Sequence, residues 1–542
     1  MARAGSISTL EREATITALE QGFFDLVLIG GGITGAGTAR EAASRGLSVA
    51  LLEAGDWAIG TSSRSSKLIH GGLRYLAMGD VALVRETALE RKQILRIAPH
   101  LAEPRWMVLP CRNRATLLKF RAAVQAYETL GSVSRADRHV NWSSGDLARE
   151  EPLIARGAYP WACAYREYLT DDARLVLANL RGAVGLGALA LSYAPVEEIL
   201  LEHGRASAVR VRCARSGREF RVRGRCIVNA AGPWVETVRR LDEPDAPDWL
   251  HLSKGVHVAV AAERLPIHHI LIMNTADRRT IFAIPRGQVT YLGTTDTSYR
   301  RGPEAWPPVE RADVEYLLEP VTRYFDVEPL AVDDVVGAWA GLRPLVAQPG
   351  KPASEISRKD EILIGPHGVV SIAGGKLTGY RLMAVSVLGK VAEVLGQALP
   401  DADPDDELPG GDFDGDLDGL AEKLTHGSGA PADAARPLAR LYGTEAQRVL
   451  ALGAEPLVPG ARLLVGEVDW AVCEEGALTV EDVLYRRNRS AYWAPAVARE
   501  AVEPAARRMA GLLGWSDERV REEVCATRAR LACDLAFDGP GE

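Results

Sequence analysis

The chain is short of features that would place it in several large classes of protein. Its seven cysteines (Cys111, Cys163, Cys213, Cys226, Cys473, Cys525 and Cys533) are odd in number and scattered, and no two are spaced C-x-x-C. That argues against a disulfide scaffold, a zinc finger or a dithiol redox pair, and for reduced thiols in a cytosolic compartment. No metal site is expected. Asp412, Asp414 and Asp416 could begin a calcium loop, but Leu417 and Lys423 stand where such a loop needs glycine and glutamate. Long apolar runs are also missing. The longest uncharged stretch, 182–196, has 15 residues including glycines and Pro195, short of the roughly 20 that a membrane-spanning helix needs. Residues 1–23 carry Arg3, Glu11, Arg12, Glu13 and Glu20 and no apolar core of signal-peptide type. Neither sign of charge dominates: 64 Lys and Arg against 72 Asp and Glu leave −8, so no nucleic-acid partner is expected.

What is present begins with glycine. Leu26-Val27-Leu28-Ile29 reads as a buried strand that runs into Gly30-Gly31-Gly32-Ile33-Thr34-Gly35 and then a helix. A second apolar run, 47–52, ends in Glu53. Strand, Gly30-x-Gly32-x-x-Gly35, helix and an acid about 20 residues on make up the dinucleotide-binding fingerprint. Gly30 lets the chain turn, Gly32 lets backbone approach a pyrophosphate, and Gly35 lets helix pack on strand. The helix N-terminus turns its partial positive charge to the phosphates, and Glu53 is placed to accept hydrogen bonds from an adenosine ribose.

At 542 residues the chain exceeds one ordinary core, so two or three domains are expected. Residues 80–98 read as a helix, and Asp171 and Asp172 as the cap of another that runs to about Val184. Hairpin turns are expected at His203-Gly204 and Ser216-Gly217. The segments 227–232 and 369–376 read as two further strands that end in glycine turns. Pro400 to Leu420 is dense in Asp, Pro and Gly and reads as an exposed acidic linker, with helical patterns following to about 535. No internal repeat is evident.

The run Thr61-Ser62-Ser63-Arg64-Ser65-Ser66-Lys67-Leu68-Ile69-His70-Gly71-Gly72-Leu73-Arg74-Tyr75 offers hydroxyls and amides to a pyrophosphate and a flavin. With it, the segments 30–37, 229–235 and 374–381, Ala340-Gly341-Leu342-Arg343-Pro344-Leu345 and Leu408-Pro409-Gly410-Gly411-Asp412-Phe413 resemble the FAD-dependent glycerol-3-phosphate dehydrogenases. The resemblance spans about 24 to 535. It implies an α/β and α+β fold of the flavin hydroxyacid and amine oxidase type. A Rossmann-like FAD-binding domain would be assembled from 24–98, 171–249 and 345–399, after an N-terminal extension, 1–23. A β-rich substrate domain would come from 99–170 and 250–344, followed by an acidic linker, 400–419, and a C-terminal helical domain, 420–542.

The implied cofactor is FAD, held by Gly30, Gly32, Thr34, Gly35, Glu53, Thr61, Ser62, Ser63, Ser66, Lys67, His70, Gly71, Gly72, Ala231, Gly232, Trp234, Gly375, Lys376, Leu377 and Thr378. The implied substrate is glycerol 3-phosphate, met by Arg74, Tyr75, Arg343, Arg358 and Lys376, because arginine forks suit phosphate. His257, in Lys254-Gly255-Val256-His257, is the candidate base, since an imidazole titrates near neutrality. Arg343 and Lys376 complete the candidate catalytic set. Thr294, Thr295 and Asp296 are expected to order the substrate domain. The stretch 479–489 resembles a basic segment of the family's helical domain and reads equally as a partner or membrane contact and as a solvated helix face.

Electrons would then pass to a membrane quinone, with the protein peripheral on the inner face of the cytoplasmic membrane; oligomeric state, a homodimer included, stays open. The rivals are a glycerol-3-phosphate oxidase that uses oxygen, another FAD-dependent amino-acid or hydroxyacid oxidase, and a non-catalytic FAD-bearing protein.

Overall fold

The computed structural model describes residues 5–71, 81–348, 359–402, 406–459 and 461–537. Phe23–Ile29 lies inside an eight-stranded sheet, hydrogen-bonded in parallel to Val49–Leu52 on one side and Glu219–Asn229 on the other. Val370–Ala373 extends the parallel run beyond Glu219–Asn229, and Leu189–Leu191 extends it beyond Val49–Leu52. Alternation explains why these strands look uniformly apolar. Leu26, Leu28, Val49 and Leu51 face a core shared with Ala36, Ala39, Ala42 and Ala43 of the helix Ile33–Ser44. Val27, Ile29, Ala50 and Leu52 face the opposite core, formed with Ile199 of the strand Val196–Glu202 and Val209 of the strand Arg205–Arg212. A parallel strand covered on both faces has no polar side to show.

Ile16 and Leu19 of the helix Arg12–Gln21 are wholly buried in that second core. The stretch expected as an N-terminal extension is therefore packed into the body of the protein. The expected hairpins join Val196–Glu202, Arg205–Arg212 and Glu219–Asn229.

The second sheet has ten strands and is mixed. Leu250–Ala261 and Val335–Val346 pair along nearly their whole length, which sets His257 opposite Trp339 and Ser253 opposite Arg343. Two expected boundaries fall inside this sheet. Leu68–Ile69, from the segment assigned to the first domain, pairs with Tyr168 and Leu169. The break at 344/345 cuts the strand Val335–Val346, which continues unbroken. Between strands of this sheet lies the helix Arg114–Leu130. Its signal was Leu117, Phe120, Val124 and Tyr127, at helical spacing and packed in one core.

The helices from Leu417–Ser428 to Asp517–Cys533 form the C-terminal part. Val468, Tyr485, Tyr492 and Met509 join Met107, Tyr291 and Trp339 of the second sheet in a single core. The stretch 479–489 is neither a solvated face nor an outward contact. Arg486, Arg487 and Arg489 are almost wholly buried, and all three ion-pair inward. Arg487 holds Asp56 through both terminal nitrogens at 2.7 Å, Arg486 bonds the same carboxylate, and Arg489 reaches Asp172 at 2.8 Å.

The linker reading also fails where its composition looked clearest. Leu408 is fully buried in the first sheet's core, its amide donates to Ile97 O at 2.8 Å, and Gly410 and Gly411 are buried with it. Leu408→Ala is expected to cost about 2–5 kcal/mol, the range for truncating a packed leucine. Urea denaturation reads this, and a loss under about 0.5 kcal/mol, typical of an exposed position, would restore the linker.

Candidate functional site

Three strands of the first sheet end side by side: Ile29 is level with Asn229, and Asn229 with Ser371. Each runs into a glycine-bearing turn and then a helix, namely Gly30 to Gly32 before Ile33–Ser44, Gly232–Trp234 before Val235–Arg239, and Gly374 and Gly375 before Leu377–Gly379 and Tyr380–Leu395. Gly30 has φ +113°, which a side chain rarely adopts, and a Cβ there would lie 2.5 Å from Ala230 O. A Cβ at Gly35 would lie 1.8 Å from Gly30 O, so helix and strand touch as the fingerprint requires. Gly32 and Gly232 differ. A Cβ at Gly232 would meet nothing within 4 Å, and one at Gly32 would meet only Ser62 Oγ, at 3.2 Å. Phe23–Ile29 has the order-reversing neighbours of a topological switch point, and the space beside Gly32 and Gly232 at its carboxyl end is where such sheets take a dinucleotide. Half-buried Thr34 stands in the first turn of the helix.

Glu53 sits at this edge but has a first task within the protein. Its two carboxylate oxygens accept from Gly31 N at 2.6 Å and Gly55 N at 2.8 Å. Burial raises its pKa against those amide bonds. It braces the glycine turn that the cofactor would lie on, and each oxygen keeps a lone pair for further donors.

The loop that follows ties both sheets together. Thr61 Oγ1 donates to Leu342 O at 2.5 Å, next to Arg343. Ser62 Oγ accepts the first helical amide, Ile33 N, at 3.0 Å. Ser66 Oγ lies 2.8 Å from His257 Nε2. Gly71 N donates to Tyr127 OH at 3.1 Å, and Thr378 Oγ1, in the short helix after the third glycine turn, donates to His70 O at 3.3 Å.

Lys67 departs from its expected role. Its ammonium is fully buried and donates to Ser63 O at 2.8 Å and to both oxygens of Asp172 at 3.1 and 3.2 Å. Burial, only partly offset by Asp172, lowers its pKa to about 7. The side chain is therefore an internal tie and not a cofactor ligand. Gly72, Arg74, Tyr75 and Arg358 lie outside the described residues.

On the substrate side, the His257 ring stacks on Trp339, with centroids 5.0 Å apart and 11° between planes. Nδ1 is buried without a hydrogen-bond partner among the described residues. Donation from Nε2–H to Ser66 Oγ leaves Nδ1 as an acceptor. The expectation that this imidazole titrates near neutrality is overturned: burial, then the nearby Lys67 and Arg343 cations, hold its pKa well below 6.5.

Arg343 lies across Gly255, where a Cβ would be 2.3 Å from its Nη2. Its terminal nitrogens bond Thr294 Oγ1 at 3.0 Å, Thr295 O at 3.1 Å, Asp296 Oδ1 at 3.2 Å and Ser253 Oγ at 3.4 Å. Thr294 to Asp296, whose chemistry was unreadable in the sequence, therefore orient this arginine, and a phosphate arriving there would compete with Asp296. Lys376 is half-buried at the N-cap of Leu377–Gly379, ahead of the helix Tyr380–Leu395.

Two residues near the site have roles that the sequence did not give, although Asp172 was read as a helix cap and Arg64 lies in the 61–75 run. Asp172 gathers Ser65, Lys67 and Arg489 around one carboxylate. Arg64 is buried, with its guanidinium 3.5 Å above Trp306 and its pKa lowered by burial.

The His257 environment has a consequence for stability. Its folded pKa lies below the unfolded value, so the unfolded chain binds the proton more readily. Stability from keeping it neutral is fully present above about pH 6.5 and drains as pH falls, by up to about 1.4 kcal/mol per pH unit. His257→Gln should flatten the fall of thermal midpoint between pH 7 and pH 5. A slope equal to that of the unsubstituted protein would contradict the assignment.

Residues 25–381 match the protein family described as FAD dependent oxidoreductase, and 405–520 match the C-terminal domain of alpha-glycerophosphate oxidase. The aerobic glycerol-3-phosphate dehydrogenase of Bacillus subtilis is 37% identical over 498 residues, 89% of this chain and 90% of the relative. That of Staphylococcus epidermidis is 34% identical over 551 residues, 98% of each chain. Among solved structures, the glycerol-3-phosphate dehydrogenase of Bacillus halodurans complexed with FAD superposes with a TM-score of 0.82 at 32% identity, covering 99% of this chain and all of that one. Fold, glycine-lined sheet edge and likeness along nearly the full length agree: the chain belongs to the FAD-dependent glycerol-3-phosphate dehydrogenases.

Proposed function

We propose that this protein oxidises sn-glycerol 3-phosphate to dihydroxyacetone phosphate on bound FAD and hands the electrons to a membrane quinone. The observation that carries the reading is the meeting, through the 61–71 loop, of the glycine-lined sheet edge with the strands of His257 and Arg343. The donors present suit the cofactor. Open space beside Gly32 and Gly232 admits a pyrophosphate, a helix N-terminus faces it, and Glu53 retains acceptor capacity for a ribose. Bound FAD supplies a two-electron sink for the hydride on C2 of the alcohol.

The chain's own groups do the rest. Arg343 binds the phosphate dianion with its planar fork, exchanging some of its present acceptors for phosphate oxygens. Lys376 adds positive charge at the third glycine turn, where negative charge on the reduced ring would be stabilised. His257 takes the C2 hydroxyl proton at Nδ1. A low pKa suits that step, because a hydroxyl whose carbon is losing a hydride becomes strongly acidic and needs only a weak, neutral acceptor. Arg74, Tyr75 and Arg358 are assigned to the phosphate by resemblance.

Quinone as acceptor accords with the word aerobic in the relatives' names. Among the described residues no helix is long and apolar enough to cross a membrane, so quinone access would come from peripheral docking on the inner face of the cytoplasmic membrane. A second reading, transfer to oxygen, is favoured by one observation, the match of 405–520 to the C-terminal domain of alpha-glycerophosphate oxidase.

Anaerobic mixing with glycerol 3-phosphate should bleach the flavin absorbance. A quinone analogue should then restore it, with air restoring it far more slowly; rapid recovery in air with peroxide would favour the oxidase, and no bleaching would end the proposal. Arg343→Ala should raise KM for glycerol 3-phosphate by about 100-fold, the scale of a lost charge-assisted contact. FAD content should hold, and parallel loss of FAD would remove Arg343 from the phosphate.

A further inference from the structure

The mechanism leaves unused a buried cluster of charge that joins the C-terminal helices to the loop beneath the cofactor site. At its centre Asp172, wholly buried, accepts from Ser65 N at 3.1 Å, Ser65 Oγ at 2.7 Å, Lys67 Nζ at 3.1 Å and Arg489 Nη2 at 2.8 Å. The neighbouring Asp171 pairs with Arg286 and Arg489, at 3.1 and 3.2 Å. Arg489 adds one more bond, to Ser63 O at 3.2 Å, and Lys67 Nζ reaches the same carbonyl at 2.8 Å.

Arg489 therefore does more than neutralise Asp172. From a different part of the chain it grips the backbone of the segment whose Ser62 sits on the cofactor helix and whose Ser66 meets His257. Its own backbone is left-handed, at φ 68°, uncommon for a residue with a side chain and consistent with a position dictated by its partners. A second grip lies nearby. Arg486 and Arg487 converge on Asp56, three residues after Glu53, the acid that braces the glycine turn.

We propose that Arg489 is a positioning residue for flavin binding: the C-terminal domain reaches into the FAD-binding body and sets the conformation of the 61–67 loop through Ser63 O and Asp172. Without Arg489, Lys67 alone holds Ser63 O, and Asp171 and Asp172 keep only Lys67 and Arg286 as cationic partners. Ser62 and Ser66 then lose their fixed spacing to the cofactor helix and to His257. The C-terminal domain thereby becomes part of the cofactor site although none of its atoms need touch the cofactor. This rests on reading 61–71 as the flavin loop.

The test uses holoenzyme and follows flavin release on dilution by its fluorescence, with visible-region circular dichroism of the bound flavin alongside. Arg489→Met is expected to speed release at least about tenfold, the scale of one lost hydrogen bond from a charged donor, and to change the flavin dichroism. A lowered thermal midpoint with unchanged release and dichroism would mean that Arg489 only stabilises the fold, and would overturn the proposal. If Arg489→Met does not fold, Arg489→Lys decides. It keeps a charge beside Asp172, but a lone ammonium cannot stay anchored to Tyr485 O and Asp171 while also spanning Asp172 and Ser63 O as Nη2 does, so release should still quicken, and unchanged release would overturn the proposal. Ser62→Ala serves as the loop control. If it leaves flavin release untouched, the loop reading has failed; if it quickens release while Arg489→Met does not, the positioning role alone has failed.

Discussion

A carboxylate removed from water must find positive charge or donors, and Asp172 has found both from two distant parts of the chain. Ser65 and Lys67 come from the loop under the cofactor site, Arg489 comes from the C-terminal helices, and Asp172 itself heads the helix Asp172–Gly185 on the first sheet. Breaking one partner of such a group leaves the others uncompensated, which is far more costly than losing an exposed pair. The 61–67 loop, the helix Asp172–Gly185 and the C-terminal helices are thus locked to one another next to the place where cofactor and substrate must be held in register. Asp56 repeats the arrangement on the other flank of the glycine turn, with Arg486 and Arg487.

The second sheet supplies the reacting side by register alone. The pairing of Leu250–Ala261 with Val335–Val346 places Arg343 level with Ser253 and His257 level with Trp339. One consequence is electrostatic. His257 is stacked, buried and near two cations, so it stays neutral, a hydrogen-bond acceptor and not a charged group. Another is steric: a Cβ at Gly293, on the neighbouring strand, would stand 2.1 Å from the His257 ring. The site is built from long-range pairing, and its chemistry follows from what that pairing buries.

Much of the first sheet was legible because its signals are local. Gly30 must turn with positive φ, Gly35 must let a helix touch a strand, and 26–29 must be apolar on both faces; each condition is met within a few residues. The cap at Asp171 and the hairpin turns were readable for the same reason. Elsewhere composition misled. The dense Asp, Pro and Gly around Leu408 marked chain reversal, which is compatible with burial as well as exposure, and the core decided for burial. The arginines of 486–489 had two outward readings, and both failed because Asp56 and Asp172, which draw them inward, stand more than 300 residues earlier in the chain, although Arg486 also pairs with nearby Asp482.

Local backbone preference and apolar periodicity were therefore enough to announce a dinucleotide fold, and motif likeness to name its chemistry and most of the residues to watch. The folded chain alone could assign partners: that Lys67 serves Asp172 and not the cofactor, that Asp296 aims Arg343, and that His257 is held neutral. The reason is physical. A side chain's charge state and task depend on what surrounds it in space, and those neighbours are brought together by strand pairing and burial across hundreds of residues.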